Sequence, residues 1–183
     1  MGPGGVPRDE VRGDQPLRPR IRIERWREGN LPLLEQLLRD PGMMQHLGGP
    51  ETAEKIAERD VNYARSRDQF KIVDADSGDG VGWVGYWDRD WDGEQVYEIG
   101  WSVLPAFQGR GIAGSAADMA IAAARSERRR RFVHAFPSVE NAPSNAVCRK
   151  LGFTLVGPVD FEHPPGRFTR CNDWRLDLFA AEP

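Results

Sequence analysis

The feature that most restricts this chain is the run Gln108-Gly109-Arg110-Gly111-Ile112-Ala113-Gly114, a G-x-G-x-x-G spacing between a strand-like and an alanine-rich segment. Glycines so placed let backbone N–H groups approach an anion closely, and the positive end of a helix starting there adds attraction. Dinucleotide-binding turns share this spelling, but their context is absent. They place the first glycine at the end of a first strand and then alternate strands with helices. Here three strand-like runs come first, and "PAFQ" separates the third from Gly109. A nucleotide-hydrolase P-loop is excluded as well, because no Gly-Lys-Ser or Gly-Lys-Thr follows. The loop predicts a pyrophosphate-bearing ligand other than a dinucleotide, with Arg110 adding charge.

The elements around the loop follow from periodicity. "RIRIERW" alternates as a strand, "LPLLEQLLRDPG" clusters leucines as a short helix ended by Pro41-Gly42, and Glu51 to Arg67 has helical apolar spacing. Next come "FKIVDA", "GVGWVGYW" and "VYEIGWSVL", an antiparallel meander whose connections both contain Asp-Gly. Beyond the glycines, "IAGSAADMAIAAARSE" reads as a helix, "RFVHAF" as a strand, and Ser144 to Leu151 as a short helix. The strand "FTLVGPV", the loop "DFEHPPGRFTR" and the strand "NDWRLDLF" complete the chain. Residues 1–19, rich in Gly, Pro and charge, are expected to form a disordered tail, leaving 20–183 as one domain.

Composition narrows the partners. A net charge of −3 argues against nucleic acid, and the basic run Arg128 to Arg131 reads as a solvated helix end, with a phosphate contact as the alternative. No apolar run approaches the roughly 20 residues of a membrane span. The N-terminus lacks a secretory signal's apolar middle, and the two cysteines, Cys148 and Cys171, suit neither a disulfide framework nor a zinc site. A cytoplasmic protein without a metal is expected; oligomeric state, a homodimer included, stays open.

Gln108 to Ala113 fits the pattern Arg/Gln-x-x-Gly-x-Gly/Ala, "EIGWSVLPAFQGRG" extends the likeness upstream, and "NAPSNAVCRKLGF" supplies a second block. On these motifs the chain resembles the GNAT superfamily of N-acetyltransferases. The "EIGW" lead-in and the Asn141-x-x-Ser144 spacing most resemble the branch containing ribosomal-protein N-terminal alanine acetyltransferases. The resemblance implies a mixed α/β fold, a mostly antiparallel sheet of about seven strands flanked by about four helices. It also implies acetyl-CoA as cosubstrate and a primary amine, on a small molecule or a protein N-terminus, as acceptor. Gln108, Gly109, Arg110, Gly111, Ile112, Ala113 and Gly114 would form the pyrophosphate loop. Trp101, Ser102 and Val103 would run beside the pantetheine arm, and Asn141 would hold it from the other side or serve as a turn asparagine.

Acetyl transfer needs a neutral amine and a proton for the departing thiolate. Glu98 is the candidate proton acceptor; a carboxylate that merely attracts a cationic acceptor or pairs with an arginine is the alternative. Many members of the superfamily place a tyrosine where this chain has Cys148. The alanine-acetyltransferase likeness nominates Ser144 as proton donor instead, against a plain helix-capping role. A non-catalytic acyl-CoA sensor would account for the missing tyrosine. Cys148 and His134 read as buried structural residues, and Trp83, Trp87 and Trp91 as acceptor-pocket lining or sheet packing.

Overall fold

Two-residue periodicity builds a seven-stranded sheet in the order β1-β2-β3-β4-β5-β7-β6. The computed structural model describes residues 19–163 and 165–180, so the expected tail lies outside the described residues except for Pro19. The strands are β1 (Ile21–Arg25), β2 (Gln69–Asp74), β3 (Gly80–Trp91), β4 (Glu94–Val103), β5 (Phe132–Ala135), β6 (Thr154–Glu162) and β7 (Phe168–Asp177). The helices among the described residues are α1 (Leu31–Leu38), α2 (Pro41–Met44), α3 (Ala53–Arg65), α4 (Ile112–Glu127) and α5 (Ala142–Lys150). Every neighbouring pair of strands is antiparallel except β4 and β5.

Several boundaries differ from the sequence expectation, each for a local reason. Pro41-Gly42 does not simply end α1; Asp40 accepts a hydrogen bond from the Met43 N–H at 2.8 Å and starts the single-turn α2, a fifth helix. The polar "DRDWDGE" is mostly strand, because Asp92 (φ 50°) and Gly93 (φ 79°) alone make the β3–β4 turn. Likewise β6 and β7 extend into the expected loop, pairing as far as Glu162 and Phe168. The helix expected to begin near Ser144 begins at Ala142, with Asn141 as its cap.

One face of the sheet packs on α4, where Ile112, Ala116, Ala117, Ala120, Ile121 and Ala124 are buried against Ile72, Val84, Tyr97 and Val133. On the other face, α1 and α3 cover the β1–β3 side through Trp26, Leu33, Leu34, Leu37 and Ile56. In the basic run after α4, Arg128 ends the helix at φ 52°, Arg129 and Arg130 pair with Asp88, and Arg131 pairs with Asp177.

Close packing between β3 and β4 yields a stability prediction. A Cβ at Gly82 would lie 2.3 Å from the Ser102 carbonyl oxygen and 3.1 Å from the Val103 Cα, both backbone atoms. Gly82→Ala must therefore part the two strands, with an expected loss of at least about 1–3 kcal/mol. Urea unfolding should show it as a lower midpoint at an unchanged slope.

Candidate functional site

The parallel ladder between β4 and β5 has just two registered pairs, Tyr97 with Val133 and Glu98 with His134. Beyond them β4 continues to Val103 beside β3, whereas the chain after β5 leaves with β7 through a bridge between Ser138 and Cys171. The sheet thus opens into a wedge with Glu98 at its apex. Leu104 donates its N–H to the Val81 carbonyl at 2.9 Å, which by strand alternation directs the backbone groups of Ser102 to β3 and those of Trp101 and Val103 to the open edge. Of the strand residues expected to flank a ligand arm, two offer their main chain there. Ser102 does not; its side chain stands on the face away from α4.

The glycine loop closes the wide end of the wedge. Gln108 turns back and donates to the Val103 carbonyl at 2.9 Å. Gly109 (φ 74°) and Gly111 (φ 77°) adopt the left-handed conformation, and Gly111 caps α4 with no side chain. The first helical bond of α4 runs from the Ser115 N–H to the Gly111 carbonyl at 3.1 Å, so the N–H groups of Ile112, Ala113 and Gly114 have no partner within the helix. Arg110 is exposed and lies over the Phe107 ring. Gly114 differs from the other two glycines, being helical with open space where a Cβ would stand.

At the apex, the face away from α4 gathers side chains from five strands, β3 to β7. Glu98 Oε2 accepts from Arg89 Nη1 at 2.6 Å and from Trp87 Nε1 at 3.2 Å. Burial pushes the Glu98 carboxyl above its ordinary range, opposed by Arg89, Trp87 and His134. The indoles of Trp83 and Trp87 lie against the backbone of Gly100, where a Cβ would meet each at 3.2 Å, and Tyr63 stacks on Trp83. The Arg89 guanidinium sits 4.4 Å from the Phe161 ring centre and also faces Trp91 and Phe136. Asp173 accepts from His134 Nδ1 at 2.6 Å and from Trp91 Nε1 at 3.0 Å, so one nitrogen of the buried His134 is held in place. Arg89 and Asp173 were not singled out in the sequence; their one signal is the alternation of β3 and β7, which puts them on the same face as Glu98.

Across the wedge stands α5. Asn141 Oδ1 accepts from the Ser144 N–H at 3.1 Å, so the capping role belongs to Asn141, and the Ser144 hydroxyl makes no hydrogen bond among the described residues. Asn145 is buried and fully engaged: it donates to the Ser138 and Asn141 carbonyls and accepts from Asn172 and Trp174 Nε1, locking α5 onto β7. Cys148 is fully buried, and desolvation pushes its thiol up to about 12, which leaves it no nucleophilic thiolate near neutrality.

A cavity of about 780 Å³ lies elsewhere, lined by Phe70, Tyr86 and Glu127 near the far end of α4, about 24 Å along that helix from the glycine loop. Glu127 there accepts from the hydroxyls of Tyr86 and Tyr97, a structural network. Among the described residues no helix is long and apolar enough to cross a membrane. Among the described residues no group of His, Cys, Asp and Glu could hold a metal ion.

Comparison with known proteins agrees with this geometry. The sequence profile described as "Acetyltransferase (GNAT) domain" matches residues 20–154. A Bacillus subtilis (strain 168) relative, described as the uncharacterized N-acetyltransferase YnaD, is 27% identical over 144 residues, 78% of this chain and 81% of the relative. Among solved structures, an acetyltransferase (GNAT family) from Bacillus anthracis superimposes with a TM-score of 0.74 at 21% identity, covering 87% of this chain and 95% of that one. The spermidine N-acetyltransferase from Vibrio cholerae, solved with CoA and spermine, gives 0.72 at 16% identity, covering 87% and 96%.

Proposed function

The chain belongs to the GNAT acetyltransferase family, and on that premise we propose that a single domain spanning residues 20–183 transfers an acetyl group from acetyl-CoA to a primary amine by direct attack. The observation that carries this reading is the alignment of three features. An unpartnered, anion-ready start of α4 leads into the open edge of β4, and that edge ends at a buried carboxylate. The N–H groups of residues 109–114 would hold the pyrophosphate, and the main chain of Trp101 and Val103 would pair with the amides of the pantetheine arm. Asn141 would approach the arm through its Nδ2, its oxygen being engaged in the cap. When bound, acetyl-CoA supplies an activated acyl group on a good leaving sulfur.

The acceptor arrives as an ammonium, and its nitrogen must lose two protons overall. Glu98, fixed through one oxygen by Arg89 and Trp87, takes the first through the other oxygen and passes it to water, which frees the lone pair for attack. As the C–N bond forms and the C–S bond breaks, the second proton balances the sulfur through the Ser144 hydroxyl. Spermine in the Vibrio cholerae protein supports a small amine as acceptor, and the "EIGW" and Asn141-x-x-Ser144 likeness supports a peptide N-terminus. Thiol release from acetyl-CoA, measured across polyamines, aminoglycosides, amino acids and short peptides, tests the reading. A second reading, a non-catalytic acyl-CoA sensor, draws on Cys148 standing where the superfamily commonly has tyrosine; it predicts CoA binding with no amine-dependent release.

The proton donor has its own test. Ser144→Ala is expected to slow turnover about 10-fold, below the general-acid range of roughly 10²–10⁴ because a thiolate needs little help, with CoA affinity unchanged. Cys148→Ala should leave the rate alone and lower stability, since it removes a fully buried side chain. Steady-state rates and thermal melts of the two variants separate these outcomes; a slower cysteine variant reverses the assignment.

A further inference from the structure

Glu98 has a buried neighbour with chemistry of its own. His134 is its partner in the β4–β5 ladder, on the same face of the sheet and one strand spacing of about 4.8 Å away. The His134 and Asp173 side chains are 5% and 4% exposed, and Asp173 holds His134 Nδ1 at 2.6 Å. Asp173 is itself fixed by Trp91 Nε1 at 3.0 Å. Arg175, the register partner of His134 on β7, lies over the Phe132 ring at 4.8 Å, on the side away from the wedge. A carboxylate on Nδ1 selects the tautomer with the proton there, which puts the ring's lone pair on Nε2. The direction of Nε2 follows from the ring's surroundings. His134 stacks on Phe136, two residues further along the chain, at 5.8 Å and 19°, so the imidazole plane lies across the strands. Its Nδ1 points to Asp173 on β7; Nε2, on the other side of the ring, turns to β4 and out of the sheet.

Glu98 is arranged in the opposite sense. Its Oε2 is tied to Trp87 and Arg89 on β3, which leaves Oε1, without a partner, for the β5 side. Neither atom is sealed. Among the described residues the one fully buried side-chain nitrogen or oxygen without a partner is Arg89 Nε, so Glu98 Oε1 and His134 Nε2, which also lack protein partners, keep contact with the open wedge. Burial favours the neutral form of Glu98, and a bound acceptor stands between Oε1 and bulk water, so a proton taken there needs a way out. Resting on the acetyl-transfer reading above, we propose that His134, oriented by Asp173, takes the acceptor's proton on from Glu98 through one bridging water and delivers it to solvent. The acceptor's N–H bond breaks as Glu98 Oε1 gains the proton. That O–H bond breaks in turn as the water passes a proton to Nε2. The imidazolium, balanced by Asp173, releases it into the wedge, and both groups return to their starting state. One proton leaves for each acetyl group transferred. Asp173 is a positioning residue, acting only through the ring it holds.

Asp173→Asn is the sharpest test. Asparagine keeps the shape and, through its oxygen, the Trp91 bond, but its amide N–H donates to Nδ1 and drives the ring proton to Nε2, which then accepts nothing. Thiol release from acetyl-CoA is measured with whichever polyamine, aminoglycoside, amino acid or short peptide turns over fastest. In Asp173→Asn and in His134→Ala, kcat is expected to fall about 10- to 100-fold, less than the roughly 10²–10⁴ of a full general base because Glu98 remains. CoA affinity and the acceptor's KM stay near those of the parent protein. The double variant should lose no more than either single one, because residues that act as a unit are not additive. Added imidazole should restore His134→Ala in proportion to its concentration and leave the parent unmoved, a response that repacking of the core cannot give. Should either variant fail to fold, a nitrogen NMR spectrum of the unaltered protein with labelled histidine decides in its place: His134 Nε2 must carry the lone pair in alkaline buffer. Parent-like kcat in a folded variant, a loss that imidazole does not rescue in His134→Ala, or a proton on Nε2 overturns the relay and leaves acetyl transfer intact. CoA binding with no release from any amine overturns both readings together.

Discussion

Gly111→Val will weaken CoA binding about 100-fold or more, about 2.8 kcal/mol, in a protein that still folds. The cause is conformational. Space around Gly111 is open, the nearest atom to an added Cβ being Pro19 Cδ at 3.8 Å, but the residue sits at φ 77°. A β-branched side chain there is a strong outlier, so the backbone must leave the left-handed region, and the N–H groups of Gly111, Ile112 and Ala113 turn away from the place proposed for the pyrophosphate. The fold survives because α4 is held by its buried face, from Ile112 to Ala124, and not by its cap. Gly114→Ala is the control. That glycine is already helical with nothing within 4 Å of an added Cβ, so alanine there should stabilise the helix by roughly 0.5–1 kcal/mol, and any loss of CoA affinity reports contact with the ligand alone. Calorimetry of CoA binding with a thermal melt of each variant reads both quantities. Unchanged affinity in folded Gly111→Val would remove the basis of the cofactor assignment.

What was legible in the sequence was what depends on neighbours in the chain. The meander, the alanine-rich helix and the glycine turn follow from periodicity and from residues that tolerate positive φ. The apex was legible residue by residue, in Glu98, His134 and the three tryptophans, but not as one cluster, because its members belong to different strands. Asp88, Arg89, Asp90 and Trp91 look like a polar loop in one dimension. In the folded chain Asp88 is matched by Arg129 and Arg130, Arg89 by Glu98, and Trp91 by Asp173, so a charged segment continues as strand. The wedge was invisible for the same reason: where a parallel ladder stops depends on β7 drawing the chain after β5 aside. Asn141 and Ser144 show the limit of spacing alone, since both lie near the helix start and the cap geometry assigns one to structure and releases the other.

Glu98→Gln is expected to lower turnover by roughly 10²- to 10⁴-fold and to erase the acidic limb of the pH–rate profile. Glutamine keeps the shape and an oxygen for Arg89 Nη1 and Trp87 Nε1, but it can neither accept a proton at neutral pH nor balance the guanidinium. The position of the limb follows from burial. The neutral form of Glu98 is favoured by desolvation more than Arg89, Trp87 and His134 favour its anion, so its titration lies above the ordinary carboxylate value of about 4.3. A base works deprotonated; activity should therefore be full above that raised value and fall as pH drops through it. A carboxylate that only draws in a cation behaves differently when neutralised. The acceptor's KM rises, kcat stays near normal, and the defect shrinks as salt screens the attraction. Because Arg89 would be left without its counter-ion, a thermal melt of the variant must accompany the kinetics. Full turnover with an intact limb would clear Glu98 of both roles. The next candidate would then be His134, its registered neighbour on β5, whose Nδ1 proton is held by Asp173 and whose other nitrogen makes no hydrogen bond among the described residues.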